Sequence, residues 1–344
     1  MRIILVGYGV VGRGVATILA RRYAEKVKDY GFNPKIVAIA DIDGAFINPR
    51  GLSPEKLGTL RFPISADPEF GHPGISALDV IESVEAEVVV EVTPVNIKTG
   101  EPALSHITKA FKTGKHVVTT NKGPLALAMP ALTELADYNN VFLRFSGTVG
   151  GGTPMLEFAK RCLAGDKILA IRGILNGTTN YILTEMSQNH VPFQEALTNA
   201  QKLGYAETEP SMDIDGFDTA CKVVILANWI MNKKITLKDV DRTGIREVSL
   251  QALEDAAKKN NTIKLIGSID GDKATVKPIE IPKNNPLCVS GVLNAITFFT
   301  EYAGEETLIG KGAGGMETAS AVLRDLLDIR HKLANRLLNN NSES

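Results

Sequence analysis

Residues 2–12 read Arg2-Ile3-Ile4-Leu5-Val6-Gly7-Tyr8-Gly9-Val10-Val11-Gly12, an apolar run that breaks on three spaced glycines. A bare Gly-x-Gly-x-x-Gly is weak evidence, because a chance turn also satisfies it. Between a strand and a helix it becomes a dinucleotide-binding fingerprint. Gly7 permits the tight turn, Gly9 lets the backbone approach a pyrophosphate, and Gly12 lets the helix pack on the strand. Val10 and Val11 open the helix, whose free N–H groups and partial positive charge face the phosphates.

The turn needs an acid at the end of the next strand to meet the ribose. Asp41 follows Ile36-Val37-Ala38-Ile39-Ala40 and comes 29 residues after Gly12. The usual spacing is about 20, and the long first helix and loop (Arg13–Pro34) account for the excess. A carboxylate there accepts from the 2′-hydroxyl and repels a 2′-phosphate, which favours NAD. Asp43 is a rival for the role, and Arg13 or Arg50 leaves NADP open.

Outward from the turn, Arg2–Val6, Lys35–Asp41, Val88–Glu91, His116–Thr119 and Val141–Ser146 read as strands of nearly continuous apolarity, the mark of buried parallel strands. Val10–Tyr30, Ser76–Glu82, Glu101–Thr113 and Leu125–Asn139 have helical periodicity. This alternation implies an α/β, Rossmann-type doubly wound sheet over residues 1–150. Asp43–Pro73, rich in Gly, Pro and Ser, reads as an irregular insertion. Ligands bind beyond the carboxyl ends of parallel strands. That rule selects Thr93, Pro94 and Asn96 after one strand and Lys122 after the next. As a plain surface residue, Lys122 would need no function.

Beyond Gly150 the pattern changes. Helices dominate from Pro154 to Met231, interrupted by a strand at Ala170–Leu175. Further strands are expected at Thr262–Ser268 and Thr275–Ile281. Strands in runs and helices in runs point to an α+β domain over 151–310. A last helix is expected at Thr318–Leu338, followed by a frayed polar tail, Asn339–Ser344.

The composition excludes several classes. The 344 residues fit two domains by length. With 38 Lys and Arg against 39 Asp and Glu, the net charge of −1 argues against a nucleic-acid partner. No apolar run approaches the ~20 residues of a membrane span, and no signal peptide precedes the first strand. Cys162, Cys221 and Cys288 are too few and scattered for a disulfide framework or zinc site. They are expected to fill core positions, in a reducing, cytoplasmic setting. The five histidines show neither HxxxH nor HExxH pairing, so a histidine zinc site has no support.

Two segments of the second half carry chemistry. Gly150-Gly151-Gly152 suits a hinge, an anion nest, or a cation site built of carbonyls. From Phe217 to Asn232 the chain reads as one helix, apolar nearly all round and therefore buried. Only Asp218 and Lys222 interrupt it, spaced i,i+4 on one face. Buried charges are costly unless paired, so they form either a structural ion pair or part of a site. Burial disfavours an ammonium, and a lysine so placed can take and return a proton. Upstream, Asn176, Thr178 and Thr179 follow a strand and open a helix. They suit capping, and equally the binding of a substrate carboxylate.

These residues resemble the homoserine dehydrogenase family over nearly the whole chain. The resemblance rests on GYGVVG at Gly7–Gly12, NKGPLA at Asn121–Ala126, GTVGGGTP at Gly147–Pro154 and GILNGTTNYILTEM at Gly173–Met186. It continues with LGYAETEPSMDIDGFDTACK at Leu203–Lys222 and GKGAGGMETAS at Gly310–Ser320. It implies reversible hydride transfer between homoserine and aspartate semialdehyde with NAD or NADP. It implies that Lys222 moves the proton, that Glu207, Asp213 and Asp218, with Gly204 in the same motif, hold the substrate, and that Lys122 lies where nicotinamide and substrate meet. Gly314 is implied to return to the cofactor, so that helix 311–338 completes the first domain. A homodimer through the middle domain is expected.

There are two departures. Family members often carry a glutamate at the position of Ser146 that helps bind a monovalent cation. Here Na+ or K+ is left to carbonyls near Val149, Gly151 and Thr153. The chain also ends soon after its last helix, so threonine feedback through a C-terminal regulatory domain is not expected. The alternatives are a dehydrogenase of another small amino acid or oxo acid, and a non-catalytic dinucleotide sensor. A decayed sensor should have lost Lys222 or Glu207, and both are present.

Overall fold

The computed structural model describes residues 1–25 and 33–342. Residues 26–32 of the expected first helix and loop, and 343–344 of the expected tail, lie outside them. The chain divides into two units, residues 1–148 with 314–344, and residues 149–313.

Unit 1 begins with β1 (Arg2–Val6), α1 (Val10–Glu25) and β2 (Lys35–Asp41). The presumed irregular insertion then proves to be structured. It contains β3 (Gly44–Ile47), α2 (Pro54–Thr59), a 3₁₀ turn at Ile64–Ala66 and β4 (Gly71–Pro73). Both strands are short and glycine-bearing, which hides them from a periodicity argument. There follow α3 (Ala77–Ser83), β5 (Val88–Glu91), α4 (Ala103–Lys112), β6 (His116–Thr119), α5 (Lys122–Tyr138) and β7 (Leu143–Arg144). The last is shorter than the expected Val141–Ser146, because residues 146–148 turn into a 3₁₀ helix.

The strand order is β4-β3-β2-β1-β5-β6-β7. β2, β1, β5, β6 and β7 pair in parallel, and β3 and β4 extend the edge antiparallel. The parallel core is doubly wound, and the order reverses between β1 and β5, where such sheets open a ligand crevice. Ile3, Leu5, Ile39 and Phe46 are fully buried in its core. Ala319, Val322, Leu326 and Ile329 join the same core from a helix 28 residues long, Gly315–Ser342. That helix also runs through most of the stretch expected to fray.

Unit 2 contributes α6 (Met155–Glu157), a π-helical turn at Phe158–Cys162, β8 (Ile168–Ile174), α7 (Gly177–Asn189), α8 (Phe193–Lys202), α9 (Ser211–Ile214) and α10 (Phe217–Ile230). These are followed by β9 (Val240–Arg242), α11 (Leu250–Lys258), β10 (Asn261–Asp270), β11 (Lys273–Pro282), β12 (Leu293–Thr300) and β13 (Glu305–Lys311). The long unit 1 helix Gly315–Ser342 is thus α12. Its sheet runs β13-β12-β8-β10-β11-β9. The periodicity reading found neither β12, β13 and β9 nor α11.

Every residue of α10 except Phe217 and Trp229 is buried. The helix lies on the sheet where β10 has no side chain: a Cβ on Gly267 would come within 2.8 Å of Val223 and 3.0 Å of Thr219. The cysteines divide: Cys221 is buried in α10 and Cys288 half-buried, but Cys162 is exposed. The π-helical turn carries its side chain outward, so Cys162 fills no core position.

Candidate active site

In unit 1 the three glycines of the turn differ in what demands them. Gly7 has φ +95°, and a Cβ there would meet the Val92 carbonyl at 2.9 Å. A Cβ on Gly12 would sit 2.1 Å from the Gly7 oxygen. Both are therefore fixed by the protein's own packing. Around Gly9 a Cβ would meet nothing within 4 Å, so the space beside it is open for a ligand. Val10 is 67% exposed at the start of α1, where the helix offers main-chain N–H groups. The open cradle at the strand-to-helix turn fits a pyrophosphate.

Asp41 and Asp43 are separated by geometry. Asp41 ends β2 beside the turn, its Oδ2 accepting from the Tyr8 N–H at 2.7 Å and its Oδ1 from Ile42 N–H at 2.7 Å. Asp43 Oδ2 accepts from the Ser65 hydroxyl at 2.7 Å, so this carboxylate serves the insertion. Gly314 has φ +128° and directly precedes α12. A Cβ on Gly315 would come within 2.5 Å of Val10, which places the start of α12 beside the start of α1.

Thr93, Pro94 and Asn96 follow β5, and Lys122 is the first residue of α5. Asn121 joins the two segments, donating from Nδ2 to the carbonyls of Thr93 and Pro94 at 3.1 Å each. Its Oδ1 caps α5 by accepting from Gly123 N–H at 3.0 Å. Ser146 donates through its N–H, at 2.9 Å, and through its hydroxyl to Asp325 of α12.

In unit 2 the end of β8 and the start of α10 converge. Lys222 Nζ donates to Asp218 Oδ2 at 2.7 Å and to the Leu175 carbonyl at 2.5 Å. Asn176 Nδ2 donates to the same Asp218 oxygen at 2.8 Å and to Asp213 Oδ1 at 2.6 Å. Its Oδ1 caps α7 by accepting from Thr179 N–H at 2.8 Å. Asn176 thus caps α7 through its oxygen and spends its amide hydrogens on the two acids, a role the sequence reading did not foresee. Burial and the neighbouring Asp218 charge raise the Asp213 pKa, against the opposing pull of the Asn176 hydrogen bond and Lys222.

The remaining candidates are spread around this cluster. Thr179 is buried and spends its hydroxyl on Asn176, at 3.0 Å from Oδ1, so it supports the cap. Thr178 donates to the Tyr205 carbonyl at 2.6 Å and so ties α7 to the Gly204–Glu207 turn. Gly204 has φ +74° and open space around it. Glu207 lies exposed on that turn, and its carboxylate accepts no hydrogen bond among the described residues. The structure therefore brings Lys222, Asp218, Asn176 and Asp213 together and leaves Glu207 facing solvent. The sequence reading missed the Leu175 carbonyl, a main-chain group that no motif marks. It also missed the guanidinium of Arg242, which stacks 3.6 Å over Phe217, and that of Arg246, which pairs with Asp215 at 2.5 Å. Together they brace the turn between α9 and α10.

Among the described residues no group of three or more His, Cys, Asp or Glu is arranged to hold a metal. Of the expected cation carbonyls, that of Thr153 accepts from Met155 N–H at 2.8 Å. A Cβ on Gly151 would come within 2.9 Å of Gly312, and one on Gly312 within 1.9 Å of the Asn294 amide. That amide is fully buried and makes no hydrogen bond among the described residues.

Comparison with known proteins adds the family. The family model described as homoserine dehydrogenase matches residues 154–327, and that of the homoserine dehydrogenase NAD binding domain matches residues 7–146. The chain is 48% identical to a homoserine dehydrogenase of Methanocaldococcus jannaschii, over 96% of this chain and 98% of that protein. It is 41% identical to an NAD(+)-dependent homoserine dehydrogenase of Pseudomonas canavaninivorans, over 97% of each. A crystal structure of a putative homoserine dehydrogenase from Archaeoglobus fulgidus superposes with a TM-score of 0.87 at 39% identity, covering 96% of this chain and 99% of that one. A hyperthermophilic archaeal homoserine dehydrogenase in complex with NADPH superposes with a TM-score of 0.83 at 30% identity, covering 96% and 98%.

Proposed function

The chain belongs to the homoserine dehydrogenase family, and from that premise we propose how its residues divide the work. The reaction is the reversible NAD(P)-dependent interconversion of L-homoserine and L-aspartate 4-semialdehyde. We assign cofactor binding to unit 1, and substrate binding and dimerisation to unit 2. The observation that carries the site assignment is the Lys222–Asp218–Asn176–Asp213 cluster, its first three members buried and Asp213 half-buried.

NAD(P), when bound, supplies the hydride acceptor or donor. In the oxidative direction the substrate's C–H hydrogen leaves as hydride, and its hydroxyl proton needs a base. Lys222 takes that proton and returns it in reverse. Asp218 and the Leu175 carbonyl hold Nζ in one place, and Asn176 fixes Asp218 from the other side. Glu207 and Asp213, the one exposed and the other beside the cluster, suit the substrate ammonium. Thr178 holds the Gly204–Glu207 turn over the helix start. In unit 1, Gly7, Gly9, Val10, Val11 and Gly12 cradle the pyrophosphate, Asp41 meets the ribose, and Thr93, Pro94, Asn96, Lys122 and Gly314 complete the cofactor site. Lys122 is the catalytic cation on the cofactor side. Asp41 favours NAD over NADP.

We also assign Na+ or K+ to the carbonyls of Val149, Gly151 and Thr153, supported by the unpartnered Asn294 amide one residue layer away. For a homodimer, support comes from the face of the unit 2 sheet opposite α10. There Arg172 aligns with Ser268 and Thr297, and the row extends to Thr275 and Thr307. This face carries exposed Arg172 and Ile309, which is 51% exposed. No helix among the described residues is long and apolar enough to cross a membrane. A cytoplasmic location accords with three cysteines that form no disulfide among the described residues.

The test is NAD(P)H formation with L-homoserine against a panel of amino alcohols and 2-hydroxy acids. Turnover is expected with homoserine first. Absence of turnover with homoserine, or faster turnover with another panel member, overturns the substrate assignment.

A further inference from the structure

The central strand β5 is apolar until its last residue. Val88, Val89 and Val90 are fully buried, and so is Glu91. A buried carboxyl is costly unless donors satisfy it. Glu91 lies level with Val6 of β1 on one side and Thr119 of β6 on the other. It therefore sits at the carboxyl end of the parallel sheet, where the strand order reverses.

Three donors converge on it. Its Oε1 accepts from Thr93 N–H at 3.1 Å and, through a short contact, from the Thr93 hydroxyl. Its Oε2 accepts from the Thr119 hydroxyl at 3.1 Å. Thr119 Oγ1 in turn accepts from Asn121 N–H at 3.0 Å, and Asn121 closes the loop back to the Thr93 and Pro94 carbonyls. Gly123 packs so tightly on the Asn96 carbonyl that a Cβ there would come within 2.5 Å. His106 of α4, also buried, places Nδ1 3.7 Å from Glu91 Oε1. The two segments at the strand ends, 93–96 and 119–122, are thus one hydrogen-bonded unit with Glu91 beneath it.

We propose that Glu91 is a positioning residue for the cofactor, holding the Thr93–Asn96 turn and the Lys122 end of α5 in one arrangement. The proposal rests on the assignment of these two turns to the cofactor. Glutamine is a poor replacement. Its single oxygen can meet the fixed Thr93 N–H donor only by turning the NH2 toward Thr119, whose hydroxyl must then accept and loses the oxygen to which it donated. The turns then separate, and the residues they carry leave their places by a fraction of an ångström to an ångström, a displacement that costs up to ~100-fold where positioning matters.

The experiment is titration of the full-length protein with NADPH, followed by its fluorescence, beside steady-state kinetics. Glu91→Gln is expected to raise the NADPH Kd and KM by ~10-fold or more, a larger change than in the homoserine KM, which only the displaced Lys122 would touch. Thr119→Val is expected to do the same to a smaller degree, and Thr119→Ser, which keeps the hydroxyl, to restore binding. Val90→Ala controls for stability alone: it lowers Tm and leaves the Kd where it was. If Glu91→Gln also lowers Tm with no change in Kd, the residue is structural and the proposal fails. If Glu91→Gln does not fold, the Thr119 pair decides: equal Kd values for Val and Ser overturn it. Asn96→Ala separates the two levels of the argument. A raised Kd there with none in Glu91→Gln removes the positioning role. An unchanged Kd in both removes the turns from the cofactor site.

Discussion

At the glycine turn of unit 1 the groups offered to a ligand belong to the main chain: the N–H groups at the start of α1 and the open space beside Gly9. At the end of β8 in unit 2 they are side chains: Lys222 and Asp218 buried on an otherwise apolar helix, Asn176 at the start of α7 and the half-buried Asp213 of α9. The first site costs little to build, since backbone groups at a helix start are unpaired in any case. The second burdens the fold, because each buried charge is tolerated only through its partners. A phosphate-binding turn therefore tolerates change badly for steric reasons, and a proton-transfer site for electrostatic ones.

The largest effect that would sharpen this contrast is Lys222→Met. We expect kcat to fall by ~10²–10⁴-fold, the usual worth of a general acid–base group. NADPH binding, which belongs to unit 1, survives with unchanged Kd. Retained turnover would remove Lys222 from proton transfer. Tm falls as well, because Asp218 is left buried without its cation.

Within the glycine turn, Gly9→Ala and Gly12→Ala should part company. Gly9→Ala leaves Tm unchanged, since its Cβ meets no protein atom, yet weakens NADPH binding by ~10–100-fold through the lost close approach. Gly12→Ala lowers both, because its Cβ collides with the Gly7 carbonyl. Loss of Tm in Gly9→Ala, or intact binding there, would show that the space beside Gly9 is not the phosphate cradle.

Asp41→Ala is expected to move the ratio of kcat/KM for NADP over NAD upward by ~10-fold, the worth of a charged hydrogen bond to the ribose. An unmoved ratio assigns the ribose elsewhere.

The smallest effect concerns Lys264 of β10, a buried lysine outside the catalytic cluster. Its Nζ donates to Asn180 Oδ1 at 2.8 Å and Thr184 Oγ1 at 3.1 Å, both neutral groups. Burial pulls its pKa down from 10.5 to about 8, opposed only by Cys288. Below pH 8 both folded and unfolded chains carry the proton, and the fold bears the whole cost of the buried ammonium. Between about 8 and 10.5 the unfolded chain keeps a proton that the folded one has released, so stability rises with pH. Above 10.5 the two are equal. The shift corresponds to about 3 kcal/mol, partly offset in Lys264→Met by lost hydrogen bonds. We expect that variant to be about 1 kcal/mol more stable near pH 7, with the gain shrinking toward pH 10.5. A gain independent of pH, measured by urea unfolding, would exclude the charge as its source.

Much of this was legible in the residues. The turn at Gly7–Gly12 and the five parallel strands follow from local pattern, because a strand buried on both faces is apolar throughout and a phosphate turn requires glycine at set positions. Asp218 and Lys222 stood out as charges on a helix that should hold none. The same argument applied to β5 would have singled out Glu91, the lone charge after Val88–Val90. It passed unnoticed because a strand end is an ordinary place for a polar residue. The strands β3 and β4 were illegible for a different reason: they are three or four residues long and take their stability from the edge they extend.

The sequence by itself determined the family and the reaction class, and it marked the glycine turn and the Asp218–Lys222 pair as candidates, since each is written in contiguous segments whose local chemistry is self-sufficient. Only the tertiary structure set Asp41 beside the glycine turn and Asp43 on Ser65, gave Asn176 its contacts to the cap and the acids, set the Leu175 carbonyl on Lys222, and linked Glu91 through Thr119 to Asn121. Those are contacts between residues distant along the chain, made by hydrogen bonds whose partners no local pattern specifies.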